Sequence, residues 1–237
     1  MKRPPWHMSV VIPARDEEKL LPRCLRSVLT AAAMMPRVVT TDIVVAVDRS
    51  RDDSSRIAQD LLGSHGVVIK TECGTVGAVR SAGAATAMSR CPMPLRRCWL
   101  ANTDADSAVP PTWLIDQYLY ALRGVEAMAG TIDVDSFGEH GPEVPERFRS
   151  TYLVGSDGSH PHIHGANLGF RADVYRAAGG WSDLSTGEDH DLWNRLRAVG
   201  CRTFSTARVK VLTSGRRNGR APKGFADALA AHNEAAA

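Results

Sequence analysis

The sequence predicts an α/β protein with a mostly parallel central sheet and helices on both faces. The first of three observations is that short runs of apolar and β-branched residues alternate with helical patterns through the first hundred residues. This alternation is typical of parallel sheets. The second is the composition: of the 237 residues, 43% are hydrophobic and 23% are charged, and this hydrophobic content is enough to build a buried core. The third is that several apolar runs end abruptly in clusters of charge.

The first half of the chain contains the clearest elements. Residues 8–13 form the first predicted strand. Leucine and valine side chains share one face of the next predicted helix, around residues 21–29. The further predicted elements of this half are a strand at 42–48, a helix at 54–62, a strand at 67–70, an alanine-rich helix at 76–89 and a strand at 98–102.

The second half is less regular. Residues 136–160 are polar and rich in Gly and Pro, which predicts a long loop or short irregular helices. Long loops in compact domains are often functional lids. The predicted elements of this half are a helix at 110–122 with Pro at its start, a strand at 125–134, a strand at 167–171, helices at 173–178 and 190–199, and one or two strands within 202–212.

Charge and composition exclude several classes of protein. A net charge of +3, from 29 basic and 26 acidic residues, is too balanced for wholesale nucleic-acid binding. No apolar run approaches the ~20 residues of a transmembrane helix. Five cysteines without a CxxC pair indicate reduced thiols. We therefore expect a cytoplasmic protein without an integral membrane segment or a nucleic-acid partner. A peripheral association with a membrane stays open.

The charged segments after the first, second and fourth strands are expected to form one site, because open α/β sheets bind ligands at the carboxyl ends of their strands. "NTDADS" places Asp104 and Asp106 two residues apart in an extended segment, so both face one side. Paired carboxylates with phosphate oxygens suit a hard cation such as Mg²⁺ or Mn²⁺. The plainer alternative is a solvated turn with an aspartate as helix cap.

For other charged residues the sequence allows both a structural and a functional interpretation. Asp48 ends the second strand, where it could accept a base N–H of a nucleotide, whereas Asp52 and Asp53 fit helix capping. Arg80 is a lone charge on a helix of small residues, which suggests that it points at a ligand. His160, His162 and His164 alternate along the chain, so an extended segment would point all three one way. They favour the lining of an acceptor pocket over a zinc site.

Carboxylates also cluster in "GEDHDLWNRL", which contains Glu188, Asp189 and Asp191. Acidic residues in a first helical turn are favoured by the helix dipole. Three carboxylates exceed what capping needs, so one of them is a candidate general base.

Taken together, these segments resemble the family-two glycosyltransferases, which have the GT-A fold, over about residues 9–212. "VVIPARDEE" resembles the opening strand and first nucleotide-contacting loop of that family, and "VDRSRDDS" resembles its "VDDGSTDGT". "VRSAG" is similar to its "ARNxG", with Ser81 in place of Asn. "TDAD" resembles its metal-binding D-x-D, "GANLGFRADVYRAAGGW" its acceptor-side segment, and "GEDHDLWNRL" the "EDxDLxxRL" start of the helix that carries the base.

The resemblance implies an inverting, metal-assisted transfer of a sugar from a nucleoside diphosphate to an acceptor hydroxyl. It implies Asp189 as the base, with Glu188 and Asp191 as fallbacks, Mn²⁺ or Mg²⁺ on Asp106 and Asp104, and a UDP-sugar or GDP-sugar donor. The acceptor stays open among a small molecule, a glycan and a lipid. The expected donor-binding residues are Pro13, Ala14, Arg15, Glu17, Asp48, Arg80, Asp104, Ala105, Arg216 and Arg217.

The expected organisation is a leader (1–7), a single catalytic domain (8–213) and a basic flexible tail (214–237). The domain divides into a nucleotide-binding half (8–106) and an acceptor half (107–213). The tail suggests a lid over the donor, because arginine binds phosphate oxygens bidentately; the alternative is a solvated tail.

Two other functions compete with the transferase. A sugar-nucleotide nucleotidyltransferase would need a Gly-rich loop after the first strand, which "PARDEE" lacks. A non-catalytic nucleotide-sugar binding protein would not need the carboxylates.

Overall fold

The structure is a computed structural model that describes residues 5–222 and 224–234. Residues 1–4 of the predicted leader, and Lys223 and residues 235–237 of the predicted tail, lie outside the described part. The strands are β1 (Trp6–Ala14), β2 (Val39–Asp48), β3 (Gly66–Thr71), β4 (Cys98–Asn102), β5 (Ala127–Val134), β6 (Leu168–Arg171) and β7 (Thr203–Thr213). The α-helices are α1 (Leu21–Ala33), α2 (Ser54–Leu62), α3 (Val76–Arg90), α4 (Trp113–Leu122), α5 (Val144–Thr151), α6 (Ala172–Ala177), α7 (Glu188–Ala198) and α8 (Phe225–Glu234).

The seven strands form one sheet in the order β3-β2-β1-β4-β6-β5-β7. β1 pairs in parallel with β2 and β4, β2 with β3, and β5 with β7. β6 is the exception, because it runs antiparallel to both β4 and β5. The predicted α/β class with a mostly parallel sheet is therefore confirmed.

The sheet is covered on both faces, as its sequence pattern predicts. Alternate residues of a strand point to opposite faces. Met8, Val10 and Ile12 of β1 belong to a core that includes buried residues of α1, α2 and α4. Val11 belongs to a second core with α3, α6 and α7. Helices on both faces leave the carboxyl ends of the strands as the place for a site.

The described elements differ from the predicted ones mainly near the ends of the domain. β1 begins at Trp6, so it includes the last two residues of the predicted leader. α5 lies inside the segment predicted as a loop or short helices. The predicted tail contains α8, which packs against α5, and Phe225 contacts Phe148 edge to face with ring centroids 6.0 Å apart. Apolar contacts between two weakly patterned segments therefore give both of them a defined place.

Candidate active site

A cavity of about 430 Å³ lies at the carboxyl ends of β1, β2 and β4. It brings together twelve of the residues proposed from the sequence. These are Pro13, Ala14, Arg15, Glu17, Asp48, Arg80, Asp104, Ala105, Asp106, Glu188, Asp189 and Arg216. The structure does not bring Asp191 or Arg217 into the lining.

The loop after β1 turns sharply at Asp16, which has a left-handed backbone with φ of 51°. The turn separates the roles of neighbouring acidic residues. Asp16 Oδ1 accepts a hydrogen bond from the backbone N–H of Arg51, and the Glu18 N–H donates to Asp52 Oδ2, so both residues fasten this loop to the loop after β2. Glu17 is buried and lines the cavity. One carboxylate of this cluster thus enters the site, while its neighbours hold the loop.

Asp48 lies at the end of β2 with 3% of its surface exposed. Its Oδ1 accepts hydrogen bonds from Thr71 Oγ1 and Cys73 N at 2.9 and 2.7 Å, and its Oδ2 accepts one from Gly74 N at 3.1 Å. Asp48 therefore fixes the loop after β3 and also borders the cavity. Only Oδ2 keeps room for a strong further bond, for example to a nucleotide base.

We expect Asp48→Ala to weaken nucleotide binding by about tenfold and to leave metal selectivity unchanged, since the carboxylate and the loop it holds are both lost. Asp53→Ala is the matched control, because Asp53 is an exposed carboxylate that pairs with Arg56 at 2.7 Å outside the cavity lining. Titration of UDP in the presence of Mn²⁺ measures both variants. Equal affinities for the wild type and both variants would reduce Asp48 to a loop anchor.

Arg80 of α3 is 2% exposed and pairs with two carboxylates of the site. Its Nη2 lies 2.5 Å from Asp104 Oδ1, and its Nε lies 3.2 Å from Glu188 Oε1. Burial raises the pKa of Glu188, and the positive charge of Arg80 opposes that rise. A buried charge whose partner is removed is strongly destabilising, so these three residues are held as a unit.

The backbone of Gly165 approaches this unit closely. A Cβ atom at this position would lie 2.4 Å from Arg80 Nη2 and 2.9 Å from Arg80 Cζ. Any side chain there would displace the guanidinium. Glycine is therefore needed at residue 165 for close packing, which places the segment 163–166 directly beside the buried arginine.

Asp106 is paired with an arginine from beyond β7. Arg216 Nη2 lies 2.8 Å from Asp106 Oδ2, and the same guanidinium binds both carboxylate oxygens of Glu17 at 2.7 and 3.0 Å. Burial raises the pKa of Asp106 to about 7, against the attraction of Arg216. The buried carboxylate of Glu17 and the half-buried carboxylate of Asp106 thus share one guanidinium at the predicted metal position.

The carboxylates of α7 have three different environments. Glu188 is held by Arg80. Asp189 lines the cavity, and its Oδ2 accepts a hydrogen bond from Gly165 N at 3.0 Å. Among the described residues, it has no basic side chain within 4.0 Å. Asp191 instead binds Arg195 at 2.5 Å and Ser182 Oγ at 2.6 Å, which lowers its pKa. Asp189 is therefore the α7 carboxylate that faces the cavity without a salt bridge.

Two of the proposed site residues lie outside the cavity lining. Asp191, the fallback base, is held there by Arg195 and Ser182. Arg217, a proposed phosphate ligand, does not line the cavity either, and its backbone N–H donates to Glu139 at 2.9 Å. Neighbouring residues of an irregular segment point in different directions, so Arg216 faces inward without Arg217.

Residues 214–222 cross the mouth of the cavity, and we call them the strap. Arg216 fastens the strap to Glu17, and Arg220 Nη2 donates to the Asp16 carbonyl at 2.7 Å. Thr186 Oγ1 donates to the Pro222 carbonyl. The strap therefore spans from the β1 loop to the segment before α7.

His160, His162 and His164 form a row, as their alternating spacing predicts. Adjacent rings lie 6.0 and 6.1 Å apart and are nearly parallel, although the segment is not a strand. Tyr152 stacks on His162 with centroids 4.1 Å apart. No group of three or more potential ligands among residues 5–222 and 224–234 is arranged to hold a metal ion. Only His164 of the three lines the cavity.

Several cavity residues are not predicted from the sequence. Ile132, Ile163 and Phe225 line it. Arg23 of α1 donates to the Asp106 carbonyl at 2.6 Å, which holds the D-x-D segment from outside. Isolated apolar residues in polar or alanine-rich segments carry no motif. Arg23 lies three residues after Leu20, and nothing in this spacing predicts from the sequence that Arg23 contacts residue 106.

The seven-stranded, mostly parallel sheet with a cavity at its strand ends agrees with the GT-A fold that the sequence predicts. The profile of the family described as "Glycosyltransferase like family 2" matches residues 4–225. The chain therefore belongs to this family. A comparison with curated proteins gives no match. Among the described residues, no helix is long and apolar enough to cross a membrane.

Solved structures support the same fold. S. aureus TarS 1-349 in complex with UDP-GlcNAc has a TM-score of 0.66 at 15% identity, over 91% of this chain and 60% of that one. GalNAc-T7 with UDP, GalNAc and Mn²⁺ has a TM-score of 0.67 at 17% identity, over 89% of this chain and 44% of that one. The mannosyltransferase PcManGT from Pyrobaculum calidifontis, in complex with GDP-Man and Mn²⁺, has a TM-score of 0.63 at 17% identity, over 95% of this chain and 68% of that one. The chain thus spans about 60% of the TarS fragment.

Proposed function

We propose that this chain transfers a sugar from a nucleoside diphosphate donor to an acceptor hydroxyl, with inversion of the anomeric centre and with the assistance of a divalent metal. The observation that carries the proposal is that Asp104, Asp106 and Asp189 line one cavity. The first two suit the diphosphate end of a donor. The third has no salt bridge among the described residues and suits a base. Structural relatives crystallised with UDP-GlcNAc or with GDP-Man and Mn²⁺ support a donor of this class.

The donor set fits a hard divalent ion. Asp104 and Asp106 offer carboxylate oxygens, and Mg²⁺ or Mn²⁺ commonly takes one or two carboxylates with substrate phosphates completing the shell. A bound metal would neutralise charge that develops on the leaving diphosphate. Asp106 is already stabilised by a cation in this structure, through Arg216, so the position favours positive charge.

The protein side of the reaction follows from the placement of the side chains. Asp189 is proposed to accept the proton of the attacking hydroxyl, and its bond from Gly165 N orients the carboxylate. Arg80 holds Asp104 in place. Arg216 is proposed to exchange its contact with Asp106 for a phosphate oxygen when the donor binds. The strap would then exclude water that could hydrolyse the donor.

We expect Arg216→Ala to raise the donor KM or lower kcat by about tenfold, which corresponds to the ~1.4 kcal/mol of a charged hydrogen bond. Arg217→Ala is the control, because Arg217 does not line the cavity. Steady-state kinetics and thermal unfolding of each variant distinguish the loss of the phosphate contact from a loss of folding. Cleavage of residues 214–222 by a protease should also slow with UDP and Mn²⁺. Wild-type kinetics in Arg216→Ala and ligand-independent cleavage would leave the strap without a role.

The proposed function is tested by screening sugar nucleotides for metal-dependent hydrolysis and then offering acceptors with the best donor. Thermal shifts with UDP or GDP in Mn²⁺ support the transferase. A preference for a nucleoside triphosphate would support the nucleotidyltransferase instead. If sugar nucleotides bind but are not turned over with any acceptor, the hypothesis of a non-catalytic binding protein is supported.

A further inference from the structure

One part of the cavity lining carries almost no charge. It consists of Ile132 of β5, residues 163–166, and the start of α8 with the residue before it. Ile132 and Ile163 are 4% and 5% exposed, and Ile163 belongs to the second core together with Val11. None of the lining residues from these three stretches is acidic or basic, and His164 is the one that can titrate. This apolar part of the lining therefore lies directly beside charged residues of the site, because Gly165 borders Arg80 and donates its backbone N–H to Asp189.

His164 is held in its neutral form. The hydroxyl of Tyr152 accepts a hydrogen bond from the backbone N–H of Ile132 at 2.9 Å and lies 2.9 Å from His164 Nε2. Among the described residues, no other acceptor takes the hydroxyl proton, so Tyr152 donates it to Nε2. Burial lowers the pKa of His164 to about 3. The ring thus contributes an uncharged aromatic surface to the cavity.

Phe225, from the distant helix α8, completes this aromatic surface. Its ring meets His164 edge to face with centroids 6.3 Å apart and meets Phe148 in the same way at 6.0 Å. Tyr152 and His162 stack behind His164. We call Tyr152, His162, His164 and Phe225 the aromatic wall. Its cavity-facing members are His164 and Phe225.

The aromatic wall lies directly beside the proposed base, because Gly165, which follows His164, donates its backbone N–H to Asp189. We propose that a hydroxyl that reaches Asp189 belongs to a molecule whose body lies against Ile163, His164 and Phe225. This acceptor is an uncharged small molecule that carries its hydroxyl on a flat, aromatic body. This inference rests on the proposed function.

The chemistry of the wall argues against two other kinds of acceptor. A charged acceptor packed against these three stretches would lose its hydration, and their lining residues offer no counter-ion, which is costly. A sugar could stack one face on Phe225, but its remaining hydroxyls would need hydrogen-bond partners, and an unsatisfied buried polar group costs about 1–3 kcal/mol. His164 is the only polar side chain that the three stretches place in the lining. An aromatic alcohol needs few partners and gains from ring contacts.

The test measures binding of three kinds of probe to the full chain in the presence of UDP and Mn²⁺. The flat aromatic alcohols are 4-methylumbelliferone and 1-naphthol, the neutral sugar is methyl glucoside, and the anion is glucuronate. We expect at least one aromatic alcohol to bind about tenfold or more tightly than the sugar and the anion. Equal or tighter binding of methyl glucoside or glucuronate would overturn the inference, as would the absence of binding by both aromatic alcohols.

Variants locate the binding at the wall. Phe225→Ala should weaken the aromatic probe by about tenfold and leave UDP affinity within about twofold, because the ring contacts of Phe225 are with Phe148 and His164 and it carries no polar group for a diphosphate. Phe204→Ala is the matched control, since Phe204 is 40% exposed, stacks on Tyr120 and does not line the cavity. Phe225→Leu keeps apolar volume at the start of α8, so it serves if the alanine variant unfolds. Unchanged probe affinity in a folded Phe225 variant would contradict the inference.

The outcomes separate this inference from the proposed function. If UDP binds in Mn²⁺ and the aromatic probes do not, the acceptor inference fails and the transferase proposal stands. If the probes bind at the wall and no sugar nucleotide binds or turns over, the transferase proposal fails. With the best donor from the hydrolysis screen, the bound aromatic alcohol should also yield a glycoside, with the acceptor oxygen bonded to the anomeric carbon and the nucleoside diphosphate released.

Discussion

Asp189→Asn is expected to lower kcat by about 10²-fold or more while donor binding stays near the wild-type value. A base acts in the transition state, so its loss affects turnover and not the ground-state complex. The substitution preserves the shape of the side chain and leaves an oxygen that can still accept from Gly165 N, which limits structural change. Single-turnover kinetics and nucleotide titrations of the same protein measure the two quantities.

Asp191→Asn is the control for this experiment, since it makes the same chemical change two residues away. Asp191 is held by Arg195 and Ser182 outside the cavity lining, so we expect reduced thermal stability with kcat within a few-fold of wild type. If Asp189→Asn keeps its turnover and Asp191→Asn or Glu188→Gln is inactive, the role of base moves to that residue.

Asp106→Ala should abolish the part of nucleotide affinity that depends on metal. Its carboxylate lies at the predicted metal position and is the one that Arg216 reaches. The fold should survive, because Glu17 still pairs with Arg216 after the change. Calorimetric titration of UDP with and without Mn²⁺ shows the effect, and Asp60→Ala on the exposed face of α2 is a control. Unchanged UDP affinity in Mn²⁺ would remove Asp106 from the metal site.

Local chemistry was sufficient for the first half of the fold. The bounds of α2 and β4 agree with the predicted 54–62 and 98–102, because β-branched or apolar runs and capping residues mark both ends. Asp52 Oδ1 accepts a hydrogen bond from the Ser54 N–H at 3.0 Å, whereas Asp53, which occupies the N-cap position of α2, makes no side-chain cap hydrogen bond. The reversed direction of β6 was not predicted, since periodicity shows which residues are buried but not which way a strand runs.

The charged half of the site was more predictable than the apolar half. Arg80 stands out as one charge among small residues, and the paired aspartates follow a buried strand, so both carry a signal in the sequence. Phe225 carries none, because its place depends on packing against Phe148 from a distant segment. Arg216 and Arg217 look alike in the sequence, and only the path of the strap separates them.

The charges that line the cavity indicate how binding of the proposed donor would depend on an added cation. Among the described residues, six carboxylates and four guanidinium groups line it, which leaves a formal charge of −2. A nucleoside diphosphate sugar is itself a dianion, so donor and cavity repel each other when they meet alone. A divalent ion that enters with the donor cancels part of this repulsion. Affinity for the donor should therefore rise steeply with the concentration of the divalent ion, independently of any effect of that ion on the chemical step.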